Sequence, residues 1–224
     1  VKVEAHKRWF PVVRLEELAP RHVAQSELLG QEIALWRADD GGVNAWENRC
    51  PHRGVRLSIG QNTGLDLRCR YHGWRFASGD GRCTHIPADP SRLPPAVLRA
   101  NTYHVAVQEG FVWVALNGPD VPPTSLAGGR PWLTLRSMPV EAGMEHVRAT
   151  LIEAMNAIPQ DDFVLIAEVE QDRTNAHLTL MLQPMSGART LIHAALAPIP
   201  ADRLSILRHY AARLARVRDT AEAA

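Results

Sequence analysis

The residues best suited to chemistry are two cysteines and two histidines. They stand in Cys50-Pro51-His52-Arg53-Gly54 and in Cys69-Arg70-Tyr71-His72-Gly73-Trp74. The pattern is C-x-H followed by C-x-x-H, with one sulfur and one imidazole in each segment. Two thiolates and two imidazoles are the ligand set of a two-iron, two-sulfide cluster in which histidines replace two cysteines on one iron. Such a cluster is small, so its ligands must converge from two sides, and a pair of short loops can do that. In this arrangement Cys50 and Cys69 hold the inner iron, while His52 and His72 hold the outer iron nearer solvent. Gly54 and Gly73 let the backbone turn tightly around the group. Zinc accepts the same donors. Zinc motifs, however, usually pair like with like, as C-x-x-C with H-x-x-x-H, and not one of each per loop.

The elements that must position these loops read as short strands. Ile33-Ala34-Leu35-Trp36 and Val43-Asn44-Ala45-Trp46 flank Asp39-Asp40-Gly41-Gly42, a hairpin signal. Residues 65–86 give further short strands around Gly79-Asp80-Gly81, and 102–107 pairs with 111–116 across Gln108-Glu109-Gly110. Many short strands joined by glycine-rich turns mean an all-β unit. From Asn117 to Pro131 the chain is rich in proline and glycine, which reads as a linker.

Beyond the linker the pattern is mixed. Residues 151–158 can be helical, with Pro159 as a stop or kink. Residues 163–169 form an apolar run, and 177–182 and 189–194 read as strands joined through Pro184-Met185-Ser186-Gly187. From Asp202, a suitable N-cap, a long helix is expected, with Leu204, Leu207, Ala211, Leu214 and Val217 as its apolar stripe. The fold class is therefore α+β: an N-terminal all-β unit, then a small α+β domain ending in a long helix. The expected domains are 1–118, a linker over 119–139, and 140–224.

Composition bounds the rest. The chain has 224 residues, 46% apolar and 22% charged, with a net charge of +1. Nothing in that balance favours a nucleic-acid partner. Of three cysteines, two go to the cluster and Cys83 is left as a packed or loop residue, so no disulfide framework is expected. No signal peptide and no membrane-length apolar run is seen, and the expectation is a cytoplasmic protein without a membrane partner.

The two cluster segments, with Trp9-Phe10-Pro11, Leu29 to Arg37 and Gly110-Phe111-Val112-Trp113-Val114, resemble the Rieske domain of Rieske-type non-haem iron oxygenases over roughly residues 5–118. Respiratory-chain Rieske proteins resemble it less, because their extra loop cysteines are here Val55 and Tyr71. The resemblance implies that the N-terminal all-β unit is an antiparallel sandwich, with a Rieske [2Fe–2S] cluster on Cys50, His52, Cys69 and His72. It also implies a C-terminal domain holding a mononuclear Fe(II) on two histidines and a carboxylate, in the order Asn-x-x-Asp-x-x-His-x-x-x-x-His. Starting from Asn156, Pro159 stands where that Asp belongs, and Asp162 and Ala167 stand where the histidines belong. His146, His177, His193 and His209 remain; His177 and His193, both in expected strands, could approach one another. Asp219 and Glu222 resemble the family's carboxylate-bearing helix, with charged residues on a helix end as the plainer account.

The implied function is that of an oxidoreductase. The favoured form is a Rieske electron-transfer component of an oxygenase system, passing electrons to a mononuclear iron on a partner subunit. The alternative is the oxygenase component itself, hydroxylating or demethylating an aromatic or small organic substrate. Either implies a ferredoxin or flavin reductase as electron donor, and a homo- or hetero-oligomer with Rieske oxygenase subunits. No catalytic residue is assigned.

Overall fold

Asp39-Asp40-Gly41-Gly42 reverses the chain as its composition requires. Gly41 has φ +90°, and the Asp40 carboxylate accepts from the Gly42 N–H at 2.8 Å. The strands it joins pair in register, with Leu35 opposite Ala45 and Ala34 opposite Trp46. The computed structural model to which these strands belong describes residues 5–119, 121–123, 125–128, 130–171 and 174–223. The chain divides into two compact units, Val1–Pro123 and Thr124–Ala224.

The first unit is built from ten short strands: β1 (Phe10–Arg14), β2 (Val23–Leu28), β3 (Gln31–Arg37), β4 (Val43–Glu47), β5 (Gln61–Asn62), β6 (Asp66–Arg68), β7 (Arg75–Ala77), β8 (Cys83–His85), β9 (His104–Gln108) and β10 (Phe111–Ala115). They form three antiparallel sheets, ordered β1-β10-β9, β2-β3-β4 and β5-β6-β7-β8. Trp36, Trp46, Leu57, Leu67 and Phe76 are fully buried in one core cluster that also contains Cys50 and Cys69. The two indoles meet edge to face, centroids 5.1 Å apart, a geometry that aromatic quadrupoles favour. The cysteine-bearing loops are thus rooted in the core itself.

The second unit comprises β11 (Leu133–Thr134), β12 (Met138–Val140), α1 (Met144–Met155), β13 (Ile158–Pro159), β14 (Val164–Gln171), β15 (Thr174–Pro184), β16 (Thr190–Ala197) and α2 (Arg203–Glu222). Its antiparallel sheet runs β11-β16-β15-β14-β13, with β12 also on β16. Leu178, Leu180 and Leu182 of β15 and Ile192, Ala194 and Leu196 of β16 alternate towards one apolar core, which α1 and α2 complete. Among the described residues no helix is long and apolar enough to cross a membrane.

Three sequence expectations shift. Residues 133–134 and 138–139, read as linker, belong to strands held by β16. The first helix begins at Met144 and not near 151, and it ends in the left-handed Asn156 (φ +51°), before Pro159. Asp202 does cap α2, accepting from the Ser205 N–H at 3.1 Å, but the buried stripe is Ile206, Tyr210, Leu214, Val217 and Ala221. Leu204, expected on that stripe, is 68% exposed. These two leucines separate the alternatives. Leu214→Ala is expected to cost about 2–5 kcal/mol and Leu204→Ala under about 0.5 kcal/mol, read from urea unfolding followed by circular dichroism.

Candidate metal centre

Both cysteine-bearing loops are the same turn used twice. In the first, the Cys50 N–H donates to the Val55 carbonyl at 2.8 Å and the Gly54 N–H to the Cys50 carbonyl at 2.8 Å. In the second, the Cys69 N–H donates to the Trp74 carbonyl at 2.8 Å and the Gly73 N–H to the Cys69 carbonyl at 3.0 Å. Each loop closes on a glycine four residues after its cysteine. Gly54 and Gly73 sit at φ +71° and +70°, where a Cβ would be strained. At Gly73 a Cβ would also lie 3.1 Å from the Pro87 ring. The repeated C-x-x-x-G was present in the sequence and signals this shared closure.

The loops hang from different supports. The second is the connection of the β6–β7 hairpin, so strand pairing alone sets it. The first leaves β4 and enters a 3₁₀ turn at Leu57–Ile59. Buried Asn48 pins that turn by accepting from the Ser58 N–H at 2.7 Å. Arg56 adds a second tie, donating through Nε to Glu32 of β3 at 3.1 Å, and this bond holds the Glu32 carboxyl below its ordinary pKa. Asn48 and the Arg56–Glu32 pair are supports that sequence reasoning missed, since both act across long separations.

The result is two donor pairs, one of cysteines and one of histidines. Cys50 and Cys69 are buried, at 4% and 2% exposure, with their thiols in hydrogen-bond reach of each other. The His52 and His72 rings lie above them, Nδ1 to Nδ1 at 3.0 Å. Backbone N–H groups of His52 and Arg53 point at the Cys50 sulfur. Burial pushes the Cys50 thiol up to about 11, the backbone donors oppose this, and the adjacent Cys69 adds to it. A thiol so placed keeps its proton until a cation displaces it. Burial first, then the neighbouring His72 and Arg53, lowers the His52 pKa, which favours the neutral imidazole that binds metal. The donor set therefore fits a [2Fe–2S] group.

The two imidazoles are not equivalent. His52 is half-buried and stacked on Trp74, centroids 4.3 Å apart and planes within 7°. His72 is exposed and faces Tyr71 at 3.8 Å, which is itself 61% exposed. Trp74 thus covers His52, while Tyr71 lies open beside His72.

The candidates in the second unit are not brought together. His177 lies opposite Ala197 and His193 opposite Met181, four positions apart along the ladder, or roughly 13 Å at the rise of a strand. The expected approach of these histidines is thus corrected. His193 is fully buried, with Nδ1 2.8 Å from Ser137 Oγ and Nε2 2.7 Å from Gln183 Oε1. His146 and His209 are exposed on α1 and α2. Glu222 accepts from the Glu141 N–H at 2.8 Å, and Asp219 pairs with Arg218. Pro159 and Ala167 are strand residues that carry no donor side chain. Among the described residues no cluster of three or more His, Cys, Asp or Glu side chains suited to a single metal ion is found.

The family model for the Rieske [2Fe–2S] domain matches residues 8–105. Residues 8–105, less than half of the chain, are thus similar to a Rieske [2Fe–2S] domain. Oxidoreductase NdmD of Pseudomonas putida is 44% identical over 155 residues, covering 67% of this chain and 26% of that protein. The 4beta-methylsterol monooxygenase of Methylococcus capsulatus is 42% identical over 135 residues, covering 55% of this chain and 36% of that protein. The chain thus spans about a quarter to a third of the length of these curated relatives. Among solved structures, NdmA of Pseudomonas putida CBB5 superposes with a TM-score of 0.78 at 20% identity, over 98% of this chain and 82% of that one. Dicamba monooxygenase gives 0.70 at 20% identity, over 86% and 76%. These two likenesses are of fold.

Cys83, outside both loops, is buried at the start of β8 with Sγ 3.7 Å from the His85 carbonyl, and burial raises its pKa. At pH 8 iodoacetamide is expected to leave Cys83 unmodified in the native protein and to alkylate it in denaturant, as read by peptide mass spectrometry.

Proposed function

We propose that this chain is an electron-transfer component of a Rieske oxygenase system, and that Cys50, His52, Cys69 and His72 hold its [2Fe–2S] cluster. The observation that carries the reading is that the two loops pair a buried cysteine with a buried cysteine and an imidazole with an imidazole, Nδ1 to Nδ1 at 3.0 Å. When bound, the group supplies one-electron chemistry at a potential above that of an all-cysteine cluster, because two neutral imidazoles replace two thiolate charges. The protein's part is to exclude water from the cysteine side, to offer N–H donors to sulfur, and to leave His72 facing solvent. A proton can be held or released at the free ring nitrogen of each imidazole.

The second unit supports transfer over oxygenation. Where the resemblance would set a bridging carboxylate and two histidines stand Pro159, Asp162 and Ala167. The space between its sheet and helices is filled by Leu165, Ala167, Leu178, Leu180 and Leu151, all fully buried. NdmD, whose likeness runs over more residues than the Rieske domain itself, bears the name oxidoreductase. The oxygenase alternative draws on the fold shared with NdmA over nearly the whole chain. Electrons would come from a ferredoxin or a flavin reductase, and oligomers with oxygenase subunits would receive them. Three free cysteines fit a reducing cytoplasm.

Iron and acid-labile sulfide, counted on anaerobically purified chain, test the reading. About two of each per chain are expected, and a third iron at unchanged sulfide would favour the oxygenase. Ligand exchange tests the histidine assignment. His72→Cys, if it retains a cluster, is expected to lower the midpoint potential by at least ~100 mV, towards the range of all-cysteine [2Fe–2S] ferredoxins.

A further inference from the structure

The protein as a whole is nearly neutral, with a formal charge of +1, yet its charge is uneven around the cluster loops. A groove of about 720 Å³ opens beside His72, lined by Arg21, Arg68, Arg70, Ile59, Tyr71 and Pro87 among others. Three arginines line it and no aspartate or glutamate does. Arg21 is paired with Asp39 at 2.6 Å. Arg68 and Arg70 are exposed, and no described acidic side chain forms an ion pair with either. Arg53, on the facing loop, is exposed and likewise without an ion pair among the described residues.

Apolar surface accompanies this charge. Ile59 is 51% exposed and Tyr71 61%, both on the groove. Exposed arginine beside exposed tyrosine and isoleucine is the composition of a protein interface, whereas a pocket for a small anion would hold its cations buried and convergent. The opposite imidazole is screened by Trp74, so the groove lies on the open side of the pair.

We propose that the groove beside His72 docks the acidic face of a protein electron carrier, with Arg68 and Arg70 as its main attractive charges. The proposal rests on the electron-transfer reading and deepens it by naming the partner's surface chemistry and the port it uses. The step it serves moves one electron from the reduced carrier to the oxidised chain and leaves the carrier oxidised, with no bond made or broken. Complementary charge raises the encounter rate and orients the pair, and salt weakens it.

Binding can be measured without electron flow. The full chain and an acidic plant-type ferredoxin, both oxidised, are titrated by calorimetry at low and at high ionic strength, with basic cytochrome c as the control. The expected result is ferredoxin binding that weakens about tenfold or more as salt rises, and no binding of cytochrome c. The double variant R68Q/R70Q is expected to weaken ferredoxin binding about fivefold or more, and R68K/R70K to retain it. The lysine pair and the salt series stand on their own if the glutamine pair fails to fold. Absent ferredoxin binding at low salt, equal binding of cytochrome c, or a folded R68Q/R70Q that binds like the parent would overturn the proposal. Iron and sulfide counted on the same preparation separate its failure from failure of the electron-transfer reading.

Discussion

Everything in the first unit depends on closing one turn twice. A cysteine N–H bonded to the carbonyl five residues on, and a glycine N–H bonded back to the cysteine carbonyl, fold five residues into a loop whose sulfur points inward. The same closure lifts the histidine at the third or fourth place of the loop towards the surface. Two such turns, one on a hairpin and one braced by Asn48 and Arg56, pair cysteine with cysteine and histidine with histidine. Neither turn could do this alone. Each supplies one sulfur and one nitrogen, and the geometry exists only where they face each other.

The cost of that arrangement is electrostatic. Burying the Cys50 thiol beside Cys69 disfavours its charged form, and its pKa is raised. Cys50 keeps its proton over an apolar floor of Trp36, Trp46, Leu67 and Phe76. A metal cation removes the conflict by replacing protons with positive charge. Burial on the sulfur side and exposure on the imidazole side then give the centre a direction, and Trp74 and Tyr71 refine it by covering one ring and leaving the other open.

Much of this was legible in the sequence because the signals are local. The C-x-H and C-x-x-H segments carry their ligands and closing glycines within a few residues, and the hairpin at Asp39–Gly42 carries its own turn chemistry. The second unit was harder because its signals are tertiary. Met138-Pro139-Val140 has no strand pattern of its own and is held by β16. Helix α1 begins behind Gly143, which offers no side-chain cap, so nothing in the sequence marked its start. On α2 the apolar residues are spread widely enough that Leu204 mimics the buried stripe while lying in solvent. His177 and His193 share the sheet face opposite the apolar core, which a period-two pattern can suggest, but only strand register reveals how far apart they sit.

The central claim is that one iron is held by two sulfurs from protein and the other by two imidazoles. Mössbauer spectroscopy of the chain reconstituted with iron-57 and sulfide addresses it directly. The account predicts two distinct iron sites in equal amounts, because one iron would have sulfur and the other imidazole ligands from the protein. A single class of equivalent irons, or a chain that takes up zinc and refuses the cluster, would contradict it.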